Sequence, residues 1–211
     1  MKTANIKVDY IDHMGTDLTV VNSARVSFNK TKNILDSSDE KLIKYLAKHN
    51  HWSPFAHTTV QLKVMAPIFV ARQLVKHQVG GVWNEVSRRY VDEEPVFFMP
   101  ESWRSRPKNS KQGSGDEIIT DIDINDFVDR AVALYNELIE KNVAPEMARM
   151  ILPQNMMTEW YWTGSLVFWA RVCNLRLDNH TQEESREVAK QISEICARLF
   201  PLSWNEILQK N

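Results

Sequence analysis

Residues 57–81 read His57-Thr-Thr-Val-Gln-Leu-Lys-Val-Met-Ala-Pro-Ile-Phe-Val-Ala-Arg-Gln-Leu-Val-Lys-His-Gln-Val-Gly-Gly81. Up to Ala66 the stretch is β-branched and roughly alternating, which predicts a strand over 57–66. Pro67 suits the first position of a helix, where its missing amide proton costs nothing. That helix is expected to run to about Gln78 and to break at Gly80-Gly81.

Outward from this segment, strands and helices are mixed. Residues 5–12 and 17–28 are rich in Ile, Val and Thr and read as strands joined near His13-Met14-Gly15. Ser37-Ser-Asp-Glu40 reads as a capping box, followed by a helical stripe of Leu42, Ile43 and Leu46 to about His49. Glu85 to Phe98 is expected to be extended, and the polar stretch 100–117 to be a long mobile loop. From Asn125 a helix places Phe127, Ala131, Leu134 and Leu138 on one face, and Pro145 starts a short helix through Arg149 and Ile151. The aromatic-rich residues 154–175 are expected to form a buried helix, and Val188, Ile192, Ile195 and Leu199 mark the last long one. No repeat or linker interrupts the pattern, so a single α+β domain over 1–211 is expected.

Composition sets outer limits. A chain of 211 residues buries roughly 70% of its unfolded surface, enough for a self-sufficient core. The net charge of −1 means that any anionic ligand must be held by local charge. No apolar run is long enough to span a membrane, and Met1-Lys-Thr-Ala-Asn-Ile-Lys7 lacks the core of a secretory signal. Cys173 and Cys196 alone make no disulfide framework, so a reducing cytoplasm is expected and both read as packing residues.

Local charge concentrates in 72–90, where four Lys or Arg stand against one Glu. On a continuous helix Arg72 would sit above Lys76 and Gln73 above His77, an arrangement that fits either a solvated basic face or an anion site. Gly80-Gly81 lets backbone amides approach a ligand, and Ser87 and Arg89 nearby can bind phosphate oxygens. His49, His51 and His57 match no common zinc spacing, and no metal is expected. Arg149, Arg171 and Arg176 lie in very apolar sequence and need either a carboxylate (Asp178, Glu146 or Glu159) or a ligand. Arg176 and His180 would share a helix face if the helix continued through them.

These segments, in this order, resemble the flavin-dependent thymidylate synthase family over nearly the whole chain. The family signature is Arg-His-Arg, seven or eight residues, then Ser, with Asn-Glu before it and Arg-Tyr after it. Here it reads Lys76-His77-Gln78, eight residues, then Ser87, with Asn84-Glu85 and Arg89-Tyr90. Ala24-Arg-Val-Ser-Phe28, His51-Trp-Ser-Pro-Phe55, Arg149-Met-Ile-Leu-Pro153 and Asn174-Leu-Arg-Leu-Asp-Asn-His-Thr-Gln182 also match. Lys76 and Gln78 replace both signature arginines, Lys76 keeping the charge but losing the bidentate fork and Gln78 losing the charge altogether, and Ala56 stands where a Glu is expected.

The resemblance implies a homotetramer of α+β subunits with a mainly antiparallel sheet and active sites shared between subunits. It implies methylation of dUMP to dTMP, with FAD as cofactor and NADPH and methylenetetrahydrofolate as co-substrates. Gln73, Lys76, Glu85, Val86, Ser87, Arg88, Arg89, Arg149 and Arg176 match dUMP-binding positions, with Arg176 favouring ionisation of the uracil ring. His51, Ser53, Lys76, His77, Gln78 and Glu85 match flavin positions. Two alternatives remain open: a flavoprotein of this fold that only oxidises NADPH, and a single-strand nucleic-acid binder using Trp83, Tyr90, Trp103 and the basic residues of 72–111.

Overall fold

The computed structural model describes residues 1–91, 93–108 and 113–208. Its strands are β1 (Lys2–Thr3), β2 (Lys7–Met14), β3 (Thr59–Pro67), β4 (Gly81–Glu85), β5 (Val96–Phe97), β6 (Trp103–Arg104), β7 (Ile118–Ile119) and β8 (Met157–Ser165). The helices are α1 (Asp17–Arg25), α2 (Ser37–Lys48), α3 (Ile68–Leu74), α4 (Asn125–Glu140), α5 (Pro145–Ala148), α6 (Leu166–Arg176), α7 (Glu183–Leu199) and α8 (Pro201–Ile207). The main sheet is antiparallel in the order β2-β3-β8-β4, so the fold is α+β with helices packed on one sheet face.

The alternation in β3 does what a period of two must do. Val60, Leu62, Val64 and Ala66 are buried, and across the ladder they meet Gly164, Trp162, Trp160 and Thr158. Phe168 of α6 lies on two paired glycines of this sheet. A Cβ on Gly164 would come 2.1 Å from Phe168 Cδ1, and one on Gly81 2.4 Å from its Cζ. The glycine pair at 80–81 thus serves close packing as well as the turn, where Gly80 takes a φ of 86°. A smaller core gathers Phe97, Val128, Tyr135, Ala148, Leu152 and Met156 around α4.

Several expectations are corrected. Residues 17–25 are helical, not a strand: Thr16 and Thr19 form a capping box, and Val20 and Val21 are buried, so packing overrides β propensity. The box at α2 is set one residue earlier than expected, by Asp36 and Asp39. Residues 157–165 form β8, not a helix; Trp160 and Trp162 are buried while Tyr161 faces out, an alternation hidden by three aromatics in a row. Ser165 then accepts from the Phe168 amide and starts α6. Helix α3 ends at Leu74, so Lys76 does not stack on Arg72. Among the described residues of the expected extended run 85–98, only Glu85, the last residue of β4, and Val96–Phe97 are in strands.

The expected loop at 100–117 contains β6, which pairs with β7 just beyond it, while residues 109–112 lie outside the described residues. Arg104 fastens this hairpin to α7 through Glu184 at 2.5 Å and Glu183 at 3.3 Å.

Candidate active site

Helix α3 carries two polar faces because 100° per residue separates neighbours in sequence. Ile68, Ala71, Arg72 and Val75 recur at helical spacing and line a cavity of about 810 Å³, a size suited to a small organic ligand. Gln73 does not line the cavity, and its backbone carbonyl meets Arg176 at the C-terminal end of α6. The predicted site residues therefore divide into two groups within one chain.

Glu85, Val86, Arg88 and Arg149 line the cavity together with Arg72, Glu146, Thr158 and Glu159. Thr158 Oγ1 donates to Glu85 Oε1 at 2.8 Å and Trp83 Nε1 to Glu85 Oε2 at 3.2 Å, so the carboxylate is held from both sides. The Val86 amide donates to the Glu159 carbonyl, which ties the loop after β4 to β8. Arg88 donates to the Glu93 carbonyl at 2.6 Å and lies 5.8 Å from the Tyr135 ring centre. Among the described residues the Arg149 side chain donates only to the Glu146 carbonyl, at 3.3 Å. Ser87 Oγ accepts from Arg89 Nε at 3.1 Å, and the Arg89 guanidinium covers the Tyr90 ring.

The second group is half-buried. Arg176 Nε donates to His77 Nε2 at 3.0 Å, and its Nη2 reaches the Gln73 carbonyl at 3.4 Å. The His77 ring lies 6.4 Å from that of Trp162. Burial, then the positive charges of Arg176 and Arg171, push the His77 pKa down to about 4, so the imidazole is neutral near pH 7. Burial also lowers the pKa of Arg176, which still stays protonated. Gln73 Oε1 is buried with no partner, an acceptor left over at this group.

His51 and Ser53 sit apart from both groups. His51 packs near Tyr45 and His49, with ring centres 6.0 and 6.3 Å away. Among the described residues no hydrogen bond, ion pair or ring contact joins His51 or Ser53 to the other predicted positions. Lys76 and Gln78 are exposed beside His77.

The expected carboxylate partners of the arginines are engaged elsewhere. Glu159 pairs with Lys63 at 2.9 Å, and Asp178 with His180 at 3.1 Å. Arg149 and Arg171 are exposed, despite their apolar sequence surroundings, and α6 stops at Arg176 before His180. Sequence reasoning missed Thr158 and Trp83 as supports of Glu85. Thr158 lies 73 residues away along the chain and is brought close by sheet register alone. Both thiols are buried, which pushes their pKa values up and makes them inert. Trp83, which a strand-stacking surface would need free, lies against Trp160 with ring centres 4.2 Å apart.

Among the described residues no helix is long and apolar enough to cross a membrane, and no group of His, Cys, Asp or Glu is arranged to hold a metal.

Known proteins are similar to this chain in sequence and fold. A family model, Thy1 (thymidylate synthase complementing protein), matches residues 9–202. A flavin-dependent thymidylate synthase of Thermus thermophilus is 39% identical over 201 residues, covering 93% of this chain and 73% of that protein. One of Kosmotoga olearia is 35% identical over 206 residues, covering 94% and 88%. Among solved structures, the UMP/dUMP methylase PolB from Streptomyces cacaoi, bound with 5-Br dUMP, is similar with a TM-score of 0.84. It is 28% identical, and the match covers 98% of this chain and 96% of that one. With an antiparallel sheet that sets Glu85 beside Thr158 and a helix end that sets Arg176 on His77, the chain belongs to the Thy1 family.

Proposed function

We propose that this protein is a flavin-dependent thymidylate synthase, converting dUMP to dTMP. The observation that carries the reading is the pair of half-sites on α3: a cavity with three guanidiniums on one face and an oriented Arg176 on the other. A nucleotide monophosphate needs cations at its phosphate, and a uracil ring that is to be methylated needs a cation at its carbonyl oxygens.

Ser87, Arg88, Arg89 and Arg149 would hold the phosphate, with the Val86 backbone beside them, while Glu85 accepts hydrogen bonds from sugar or base. Gln73 and Lys76 would contact the same nucleotide. Arg176 stabilises negative charge on the uracil, raising electron density at the carbon that takes the methyl group. Ser87 has no base beside it and serves as a ligand. With both thiols inert, no covalent cysteine step is used.

His51, Ser53, Lys76, His77, Gln78 and Glu85 would hold FAD. The residues fit such a group: the exposed Lys76 and Gln78 beside His77 offer a cation and an amide, and the imidazole of His51 offers a ring for stacking. When bound and reduced by NADPH, FAD supplies the hydride that completes transfer of the one-carbon unit from methylenetetrahydrofolate.

Because the two half-sites lie on different faces of one helix, the active site would be completed by another copy, in a homotetramer. Apolar residues exposed beside the site support this: Val79 is 70% exposed, Val82 65%, Tyr90 77% and Met150 75%. We further propose that the chain works as one domain over residues 1–211, in the cytoplasm.

The test is direct. Purified protein should be yellow, should sediment as a tetramer, and should form dTMP from dUMP with NADPH and methylenetetrahydrofolate. NADPH consumption without dTMP, in excess FAD, would favour the oxidase instead.

A further inference from the structure

We propose that His77 is a positioning residue. It acts as a neutral imidazole whose Nε2 accepts from Arg176 Nε, aiming the guanidinium at the uracil ring. The proposal deepens the functional reading above and rests on it for the identity of the ligand.

An arginine has five N–H donors in a rigid plane. In this chain two are used: Nε at His77 Nε2, 3.0 Å away, and Nη2 at the Gln73 carbonyl, 3.4 Å away. Two hydrogen bonds to fixed acceptors define the plane of the guanidinium and, among the described residues, leave both Nη1 hydrogens and one on Nη2 free. One acceptor is in the last turn of α3 and the other just beyond it, where the His77 amide donates to the Leu74 carbonyl and sets the imidazole in place. Trp162, almost fully buried, stands behind the ring.

The acceptor must be neutral for this contact to exist, because a protonated imidazole has no free lone pair and would repel Arg176. The surroundings enforce that state. The groups that act on His77 are Arg176 and Arg171, both cationic and both on α6; the sheet offers the Trp162 ring, and no carboxylate counters them among the described residues. A neutral partner also leaves the Arg176 charge undiminished, whereas a carboxylate there would cancel the field that a developing uracil anion needs. The ligand class is thus a planar cyclic imide that carries negative charge on its oxygens.

Two measurements test this. In purified protein labelled with heavy nitrogen at histidine, NMR should show His77 protonated at Nδ1 and bare at Nε2 from about pH 8 to about pH 5. The signal is assigned by its loss in His77→Gln. Protonation of Nε2 near about pH 6.5 overturns the proposal, whatever the enzyme does. In turnover with FAD-loaded protein, His77→Leu should lower kcat about 10²-fold while KM for dUMP stays within about twofold, as expected for misplacement of a group that acts in the transition state. His77→Gln, whose amide oxygen can accept in place of Nε2, should recover about tenfold of that loss. Equal loss in both variants overturns the proposal, as does a loss confined to KM. Absence of dTMP formation by the unaltered protein would remove the functional reading, and the NMR result would then decide the hydrogen bond alone.

Discussion

The two polar faces of α3 are built differently. Around Arg176 the groups are half-buried, hydrogen-bonded to one another and backed by the tryptophans of β8. Around the cavity, Arg88 rests on a loop carbonyl, Arg149 on a carbonyl of the short helix α5, and Arg89 on a serine hydroxyl and an exposed tyrosine. The first arrangement is oriented before any ligand arrives, so its charge acts at full strength when charge develops. The second must be ordered by the ligand, and part of its interaction energy is spent on that ordering. The first half should therefore govern rate and the second affinity.

The strongest challenge to that division is Arg176→Ala. Loss of an oriented cation from a partly desolvated site should lower kcat by about 10²–10³-fold. Flavin absorbance should be retained, and loss of flavin with dUMP binding intact would show the role to be misassigned. Arg149→Ala should instead weaken dUMP binding by about 10- to 100-fold, as for a hydrogen bond to a charged group, with a smaller change in kcat. Calorimetric titration against steady-state kinetics separates the two; a pure kcat effect would break the comparison.

Gly164→Ala strikes the scaffold of the oriented half, since its Cβ would fall 2.1 Å from Phe168 Cδ1. It should cost about 2 kcal/mol of stability, roughly 4–8 °C in Tm by calorimetry. Ser87→Ala releases Arg89 in the looser half and should raise KM for dUMP only a few-fold, about 1 kcal/mol.

A pH dependence tests the oriented half separately. The folded His77 is held at about 4, below its ordinary 6.5, so the unfolded chain binds more protons between those values. The stability contributed by neutral His77 is therefore full above about pH 6.5 and declines as pH falls toward about 4. Denaturant titrations across this window should show a shallower decline in His77→Gln.

Much of the fold could be read before any coordinates existed. The alternation of 57–66, the proline at 67 and the long amphipathic stripe of 188–199 each met a single physical demand, a buried sheet face or a buried helix face. Residues 17–25 and 157–165 misled for opposite reasons. In the first, β-branched residues sit on a helix because the capping box and the buried Val20 and Val21 outweigh propensity. In the second, aromatics on both sheet faces masked a period of two.

Taken alone, the sequence determined where charge concentrates, in the cluster at 72–90 and at the arginines 149 and 176, which residues to propose as the site, and the absence of a cysteine motif. It also determined the family, through ordered motifs spread over most of the chain. Only the tertiary structure decided that Arg176 meets a histidine instead of a carboxylate, and that Glu85 is held by Thr158. It also decided that the candidate residues divide between two faces of one helix. Partners 73 and 99 residues apart leave no local trace, because sheet register and helix ends bring them together through the packing of apolar residues between.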